Sequence, residues 1–291
     1  MTIIDLLQAS PASLITATAV LGLIVGSFLN VVIHRLPIML QREWMQQCRE
    51  LLEQESGNTG GEPFNLALPA SHCPACGTRI PVWQNIPLIS YLILRGRCAQ
   101  CGVHISLRYP LVELLTAALS ATLAWKLGVG WPLLAALLLT WSLIALSFID
   151  LQHHLLPDQI TLPLLWLGLL VNLAAMFTGL DSAVIGAVIG YLCLWLIYHA
   201  YRLLTTKEGF GYGDFKLLAA LGAWLGWQQI PLIIMLASVS GALMGLTLIL
   251  LRRHQMHRPL PFGPYIALSG WIGLLWGDDI IHAYLRYAGI L

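Results

Sequence analysis

Glu-Gly-Phe-Gly-Tyr-Gly-Asp-Phe-Lys, residues 208–216, is a polar, glycine-rich interruption in a chain that is otherwise almost continuously apolar. Three glycines within five residues allow a tight turn or the close approach of another segment. Asp214 follows these glycines directly and stands where an apolar run resumes. An ionisable residue at a membrane boundary is costly, which makes Asp214 a candidate functional residue.

The composition indicates an all-α, polytopic membrane protein. Of the 291 residues, 58% are apolar and 10% are charged, whereas a soluble domain carries about 25% charged residues. A helix that crosses the bilayer needs about 20 apolar residues. We therefore expect about eight transmembrane helices, seven from long apolar runs and one from a shorter run at 216–227. The long runs lie at residues 14–33, 110–127, 131–149, 160–178, 183–204, 229–251 and 262–280.

The distribution of basic residues predicts the orientation. Eight helices place on one side the connections 34–109, 150–159, 205–215 and 252–261. Every Lys and Arg except Lys126 and Arg286 lies in these connections or at the helix ends beside them. The positive-inside rule makes that side cytoplasmic, so both termini are expected in the periplasm, and the lipid bilayer is a partner. The net charge of +1 gives no indication of nucleic-acid binding, and no nucleic-acid partner is expected.

A second carboxylate has a position equivalent to that of Asp214. Asp150 ends the third apolar run and lies at the same predicted membrane depth. We expect the two aspartates to meet and to act together, the alternative being that each faces lipid headgroups at a helix end. Neighbouring carboxylates oppose each other's ionisation and share a proton. The ionised member can then take a proton from water, while the protonated member polarises a carbonyl.

Three further acids and two glycines are candidates for substrate binding or support. Asp158 precedes the fourth helix, where an N-cap role is the simplest interpretation. Glu113 can pair with Arg108 or reach the site. Glu208 lies in the glycine loop. Gly211 and Gly213 would let a substrate backbone pass close to Asp214.

The connection between the first two helices contains two Cys-x-x-Cys-Gly turns. They supply Cys73, Cys76, Cys98 and Cys101, with a spacing typical of a four-cysteine zinc site. A redox dithiol is the alternative. We expect a structural Zn²⁺ in a cytoplasmic, zinc-ribbon-like insertion, because so small a segment commonly needs a metal to fold.

The chain therefore divides into three predicted segments: a transmembrane helix at 1–33, the tetracysteine segment at 34–109, and a transmembrane domain at 110–291 that carries both aspartates. The polar stretch at 41–63 is interpreted as a helix or an exposed insertion, and no function is assigned to it. The sequence contains no evident internal repeat of the kind found in many transporters.

Several stretches resemble, in order, the type IV prepilin peptidase family, which also serves type II secretion. The resemblance extends from about residue 20 to about residue 270 and is weakest at 41–63. The stretches that carry it are residues 26–37, 80–87, 105–110, 148–150, 155–158, 211–214 and 261–265.

This resemblance implies a bifunctional enzyme of the bacterial inner membrane. One activity is an aspartic endopeptidase that removes the basic leader of prepilins and pseudopilins after a glycine, on the cytoplasmic side. The other N-methylates the new N-terminus with S-adenosylmethionine. The family's catalytic aspartates match Asp150 and Asp214, and its metal-binding motif matches the four cysteines. Some members lack those cysteines, which implies that the metal supports the fold rather than cleavage.

Three other functions compete with this interpretation. A cation transporter would place its acids near the middle of the bilayer. A zinc-bearing membrane adaptor would tolerate replacement of both aspartates by asparagine. A peptidase without methyl transfer is the third. The sequence assigns no site for S-adenosylmethionine, no particular pilin and no oligomeric state.

Overall fold

The computed structural model describes residues 10–52, 64–205, 211–251 and 260–290, apart from the side chain of Val82. These residues form helices and no β-strand, as the sequence predicts. The helices are α1 (Pro11–Leu51), α2 (Ile89–Ile93), α3 (Arg108–Leu127), α4 (Trp131–His153), α5 (Asp158–Asn172), α6 (Leu180–Thr205), α7 (Tyr212–Leu225), α8 (Ile230–Leu250) and α9 (Gly263–Tyr287). Short 3₁₀ turns lie at Val82–Asn85 and Trp227–Gln229.

Each of the eight predicted apolar runs overlaps a helix. Five helical segments are long and apolar enough to cross a membrane: Pro11–Leu51, Arg108–Leu127, Trp131–His153, Leu180–Thr205 and Trp227–Leu250. The multi-pass architecture is therefore confirmed, and the count of eight spans stays a prediction. α5 and α7, with 15 and 14 residues, are shorter than a full crossing.

Two helix ends differ from the predicted boundaries. α1 continues to Leu51 and carries Pro37 in its interior, so the start of the polar stretch at 41–63 is an exposed helical extension. α5 stops at Asn172 rather than near 178. The reason is that Asn172 Oδ1 accepts hydrogen bonds from the backbone N–H groups of Phe177 and Thr178, which turns the chain out of the helix.

The chain forms two compact units, Met1–Leu133 and Leu134–Leu291. In the first unit α1 packs against α3, and glycines set the distance: a Cβ on Gly22 would lie 2.8 Å from Ala117 Cα. α3 thus belongs to the first unit, although the expected peptidase segment began at 110. The division into three functional segments remains a prediction.

The second unit is built around α7, whose residues from Asp214 to Leu225 are all buried except Lys216. Small residues on the neighbouring helices make room for its large side chains. Trp224 packs against Gly168 of α5 and donates through Nε1 to the carbonyl of Leu164 at 2.8 Å. Leu221 packs in the same way against Gly270 of α9. This packing fixes the helix whose first turn carries Asp214.

Candidate active site

Asp214 lies in the first turn of α7, and the glycines before it determine how it is held. Gly211 is the N-cap, and its carbonyl accepts a hydrogen bond from the Asp214 N–H at 3.1 Å. The Asp214 carboxylate reaches back and accepts from the Gly211 N–H at 3.2 Å. This reciprocal arrangement is a capping box. It leaves Asp214 only 6% exposed.

An aromatic cluster supports the same turn. The rings of Tyr198, Tyr212 and Phe215 lie 5.4 to 5.7 Å apart, centre to centre. Phe215 and Tyr198 are almost completely buried, and such edge-to-face contacts stabilise an aromatic pair beyond its buried area. The cluster anchors the start of α7 on α6.

Asp150 lies near the end of α4 and is equally buried, at 6% exposure. Its Oδ2 accepts a hydrogen bond from the backbone N–H of Gly263, the first residue of α9, at 3.0 Å. A Cβ at position 263 would lie 2.6 Å from that oxygen. The absence of a side chain at 263 is therefore what allows the backbone to reach the carboxylate.

Leu156 packs between the two glycines that lie next to the carboxylates. Its side chain contacts Gly213, where a Cβ would lie 2.7 Å away, and Gly263, where a Cβ would lie 3.2 Å away. Gly213 precedes Asp214, and Gly263 holds Asp150. Asp150 lies close enough to Asp214 for the charges of the two carboxylates to interact. The structure thus brings together the two aspartates expected to pair, and their catalytic role remains a prediction.

Asp158 is not an N-cap. The residue at the cap of α5 is Pro157, and Asp158 occupies the first helical turn. Both of its carboxylate oxygens accept from Lys216 Nζ, each at 2.7 Å. Lys216 lies two residues beyond Asp214, so this exposed ion pair joins the start of α5 to the first turns of α7. The ammonium group of Lys216, 58 residues further along the chain, is therefore the partner of Asp158 in place of the free amides of its own helix.

The other predicted support residues have different surroundings. Gly211 and Gly213 both belong to the first turn around Asp214, as described above. Glu208 lies outside the described residues. Glu113 lies in the first unit, 8% exposed. It accepts from the Leu88 N–H at 2.9 Å, and the Ser27 hydroxyl lies beside it. Among the described residues it does not pair with Arg108.

The four cysteines converge as predicted. Their sulfur atoms all lie within 4.8 Å of one another, and Cys73 Sγ lies 3.8 Å from Cys101 Sγ. A tetrahedral zinc with Zn–S bonds of about 2.3 Å separates its sulfurs by about 3.8 Å. The arrangement therefore fits a metal ion of this kind.

The two Cys-x-x-Cys-Gly turns have the same backbone geometry. In the first, the Cys73 N–H donates to Thr78 and the Gly77 N–H donates to Cys73; in the second, Cys98, Val103 and Gly102 repeat both bonds. Gly77 and Gly102 have φ of 70° and 69°, in the left-handed region that favours glycine. A single antiparallel bridge flanks each turn, as in a zinc ribbon.

Hydrogen bonds distribute the thiol protons unequally. The side-chain and backbone hydrogen bonds of Thr78 lower the pKa of Cys76 to about 6. At Cys98, backbone hydrogen bonds at Cys101 and Gln100 lower the pKa. For Cys101, a backbone hydrogen bond at Val103 favours the thiolate, but desolvation and the neighbouring thiols outweigh it and raise the pKa to about 11. Thiolates are the form in which cysteine binds a metal.

Three residues of the site were not predicted as site residues. Gly263 and Leu156 lie in short motifs, residues 261–265 and 155–158, and neither residue has a polar side chain of its own to suggest chemistry. Lys216 shares the turn of Asp214. A proline on each side of the Phe262–Gly263 pair was the available signal that backbone, rather than a side chain, is presented there.

The two carboxyl groups are buried and close enough for their charges to interact, and each accepts a hydrogen bond from a backbone N–H. This is the arrangement of an aspartic peptidase. Because they lie on helices of a multi-pass fold, the class is a membrane aspartic peptidase. The chain belongs to the type IV leader peptidase family. The model of that family matches residues 137–246, and the model of the bacterial peptidase A24 N-terminal domain matches residues 20–127.

Curated relatives are similar to this chain over nearly its full length. A protein of Stutzerimonas stutzeri is 54% identical over 99% of both chains. One from Aeromonas hydrophila is 57% identical over 97% of this chain and 98% of its own. One from Pseudomonas aeruginosa is 53% identical over 99% of both chains. All three are named prepilin leader peptidase/N-methyltransferase. No solved structure has significant similarity to the chain.

Proposed function

We propose that this protein removes the basic leader of type IV prepilins and pseudopilins, and then N-methylates the new N-terminal residue. The single observation that carries the peptidase proposal is the approach of Asp150 and Asp214, both 6% exposed, with Leu156 packed against the glycine beside each of them. The names of the full-length relatives support both activities and the prepilin substrate.

The proposed mechanism uses one proton shared by the two carboxyls. The ionised aspartate takes a proton from a water molecule, whose oxygen attacks the scissile carbonyl carbon. The protonated aspartate donates its proton to the carbonyl oxygen. The aspartate that took the water proton then delivers it to the leaving nitrogen as the C–N bond breaks, and the other aspartate recovers its proton from a hydroxyl of the tetrahedral intermediate. The N–H groups of Gly211 and Gly263 keep each carboxylate oriented before substrate binds. Either aspartate can begin as the base.

The proposed location is the bacterial inner membrane, with the aspartates at the cytoplasmic face and both termini in the periplasm. Its support is the excess of basic residues in the connections on one side. A pilin precursor with an apolar helix and a basic leader adopts the same orientation, so its cleavage site would meet the aspartates at the boundary. Asp158 and Glu208 are proposed to support binding of that leader.

Two cofactors are part of the proposal. Zn²⁺ would be held by Cys73, Cys76, Cys98 and Cys101, where it supports the fold of the N-terminal unit. S-adenosylmethionine supplies an electrophilic methyl group to the amine that cleavage exposes. The geometry of the four sulfurs supports the first, and the names of the relatives support the second.

Mass spectrometry of a prepilin incubated with the purified protein and S-adenosylmethionine tests the proposal. The wild type is expected to yield a leader-free product that is one methyl group heavier. Asp150→Asn and Asp214→Asn are each expected to leave the precursor intact, because an asparagine cannot share a carboxyl proton with the remaining aspartate. Cleavage by either variant would contradict the paired mechanism, and cleavage without the added mass would leave a peptidase alone.

A further inference from the structure

Glu113 is a buried carboxylate that the peptidase mechanism does not use. It lies in α3, 8% exposed, and its surroundings are neutral: it accepts a hydrogen bond from the Leu88 N–H at 2.9 Å, and the Ser27 hydroxyl lies beside it. Arg108, at the first residue of α3, places its guanidinium over the Tyr109 ring instead. A buried charge without a counter-ion is expensive, and such residues in membrane segments are usually functional.

Asn30 provides a second, independent acceptor in the same region. Its Nδ2 donates to the carbonyls of Gly26 and Tyr109 at 3.3 and 3.1 Å. These two acceptors fix the orientation of the amide. Asn30 Oδ1 is consequently buried with no hydrogen-bond partner, in a residue that is 4% exposed. A buried acceptor of this kind costs free energy unless a donor is supplied.

The backbone brings these acceptors together. Ser27 and Asn30 are three residues apart on α1 and share a face. A Cβ on Gly26 would lie 2.8 Å from Glu113 Cα, so the missing side chain there lets α1 approach α3 at this level. Leu88 has a φ of 58°, a strained conformation for a leucine, and its N–H is held by the Glu113 carboxylate. Ser27, Asn30, Leu88 and Glu113 are called the Glu113 cluster below.

One edge of the Glu113 cluster reaches the surface. Ser27 is half-buried and donates to the carbonyl of Asn85 at 3.3 Å, and Asn85 is exposed. The buried acceptors therefore lie one residue layer below the surface at this edge.

A carboxylate and an amide oxygen accept hydrogen bonds and favour positive charge. A primary ammonium group supplies both the donors and the charge that the cluster lacks. We propose that the Glu113 cluster binds the primary ammonium group of a reactant in methyl transfer. This inference rests on the proposed methyltransferase activity and assigns to it a site in the N-terminal unit. Two reactants carry such a group: the new N-terminus of the processed pilin, and the amino-acid end of S-adenosylmethionine.

The test compares wild type with Glu113→Gln, which keeps an acceptor for the Leu88 N–H but removes the charge. Glu50→Gln is the matched control, an exposed carboxylate of the same unit that pairs with Gln46. The proteins are placed in vesicles of phosphatidylcholine and phosphatidylglycerol, which contain no primary ammonium group. The acceptor is a leader-free pilin, so that methyl transfer is measured separately from cleavage.

We expect Glu113→Gln to lower the ratio of methyl transfer to cleavage about tenfold or more, the size expected for losing a charge-assisted hydrogen bond. Calorimetric titration with S-adenosylmethionine identifies the source of the ammonium group. A weaker Kd for S-adenosylmethionine would assign the site to the donor. An unchanged Kd with a raised KM for leader-free pilin would assign it to the pilin N-terminus.

An unchanged ratio in Glu113→Gln would overturn the inference while leaving both activities proposed for the chain. Equal loss of cleavage and methyl transfer, in a protein that unfolds at the wild-type temperature, would overturn it as well. If Glu113→Gln does not fold, Ser27→Ala decides: a fall in the ratio supports the site, and an unchanged ratio rejects it. A wild type that cleaves but never methylates would instead refute the proposed methyltransferase function itself.

Discussion

The backbone N–H of Gly263 donates to Asp150 Oδ2 over 3.0 Å, although 113 residues separate the two positions. The contact joins the end of α4 to the first turn of α9. Because a Cβ at 263 would lie 2.6 Å from the same oxygen, the contact requires glycine. The orientation of one candidate catalytic carboxylate thus depends on a residue without a side chain.

Gly263→Ala is expected to lower the rate of leader removal about 100-fold, since a displacement of about 1 Å at a reacting group can cost that much. Gly273→Ala, on the same helix, is the control, because its nearest neighbour would lie 3.6 Å from the new Cβ. The measurement is the initial rate of prepilin cleavage by mass spectrometry. Wild-type rates in Gly263→Ala would show that this hydrogen bond does not position the carboxylate.

The two glycines that flank Tyr212 should respond differently to alanine. A Cβ on Gly213 would lie 2.7 Å from Leu156 Cβ, whereas a Cβ on Gly211 would meet nothing closer than Asp214 Oδ2 at 3.7 Å. Gly213→Ala should therefore displace the turn that carries Asp214 and lower cleavage about 100-fold. Gly211→Ala should retain most of the activity. Equal losses in the same cleavage assay would contradict this distinction.

The ion pair between Asp158 and Lys216 is expected to compete with a basic leader for the Asp158 carboxylate. An exposed pair of this kind contributes about 1 kcal/mol or less, so its loss should hardly alter the unfolding temperature. Lys216→Met should lower the KM for a leader rich in lysine by about fivefold at most, the equivalent of that energy. The decrease should vanish for a neutral leader and in the double variant with Asp158→Asn. If Lys216→Met changes the KM equally for basic and neutral leaders, Asp158 does not bind the leader.

Periodic and compositional signals accounted for most of the fold and for the pairing of the aspartates. Each apolar run became a helix because burial in lipid or protein requires that the backbone satisfy its own hydrogen bonds. Asp150 and Asp214 could be found because carboxylates at the ends of apolar runs are rare. The four cysteines could be found because their spacing is specific.

The remaining features depend on tertiary contacts without local signatures. Gly263 acts through its backbone, and Leu156 acts through its shape. Asp158 pairs with Lys216, instead of capping the free amides of α5, because α5 packs on α7. The end of α5 at Asn172 depends on one side chain that folds back to cap two amides. Apart from the prolines that flank the Phe262–Gly263 pair, none of these contacts has a spacing or composition that a sequence pattern could reveal.

The wild-type protein is expected to bind one zinc ion per chain through the four cysteines. Cys73→Ser should abolish that zinc and lower the unfolding temperature, because the ion supplies much of the folding free energy of so small a segment. Cys48 is an exposed cysteine of the same unit, and Cys48→Ser should keep the wild-type zinc content and unfolding temperature. Elemental analysis and thermal unfolding in detergent provide the measurements. Zinc retained by Cys73→Ser would contradict a four-thiolate site.

Gly186 of α6 and Gly222 of α7 face each other so closely that a Cβ on either would meet the backbone carbonyl of its partner. Gly222→Ala should therefore push α6 away from α7 and destabilise the protein by about 1–3 kcal/mol, as overpacking of a core does. In a helix with free space the same change is neutral or stabilising by up to about 1 kcal/mol. Gly241→Ala on α8 provides that case, with its nearest neighbour 3.5 Å away.

The change in unfolding free energy is expected to have opposite signs in Gly222→Ala and Gly241→Ala, because packing dominates at 222 and helix propensity at 241. Thermal unfolding of both variants in the same detergent measures this change. Since α7 carries Asp214 two turns before Gly222, a shift of α7 should also move one carboxylate relative to the other. Cleavage by folded Gly222→Ala protein should then fall as well. If Gly222→Ala unfolds at or above the wild-type temperature, the close contact of α6 and α7 does not determine the position of Asp214.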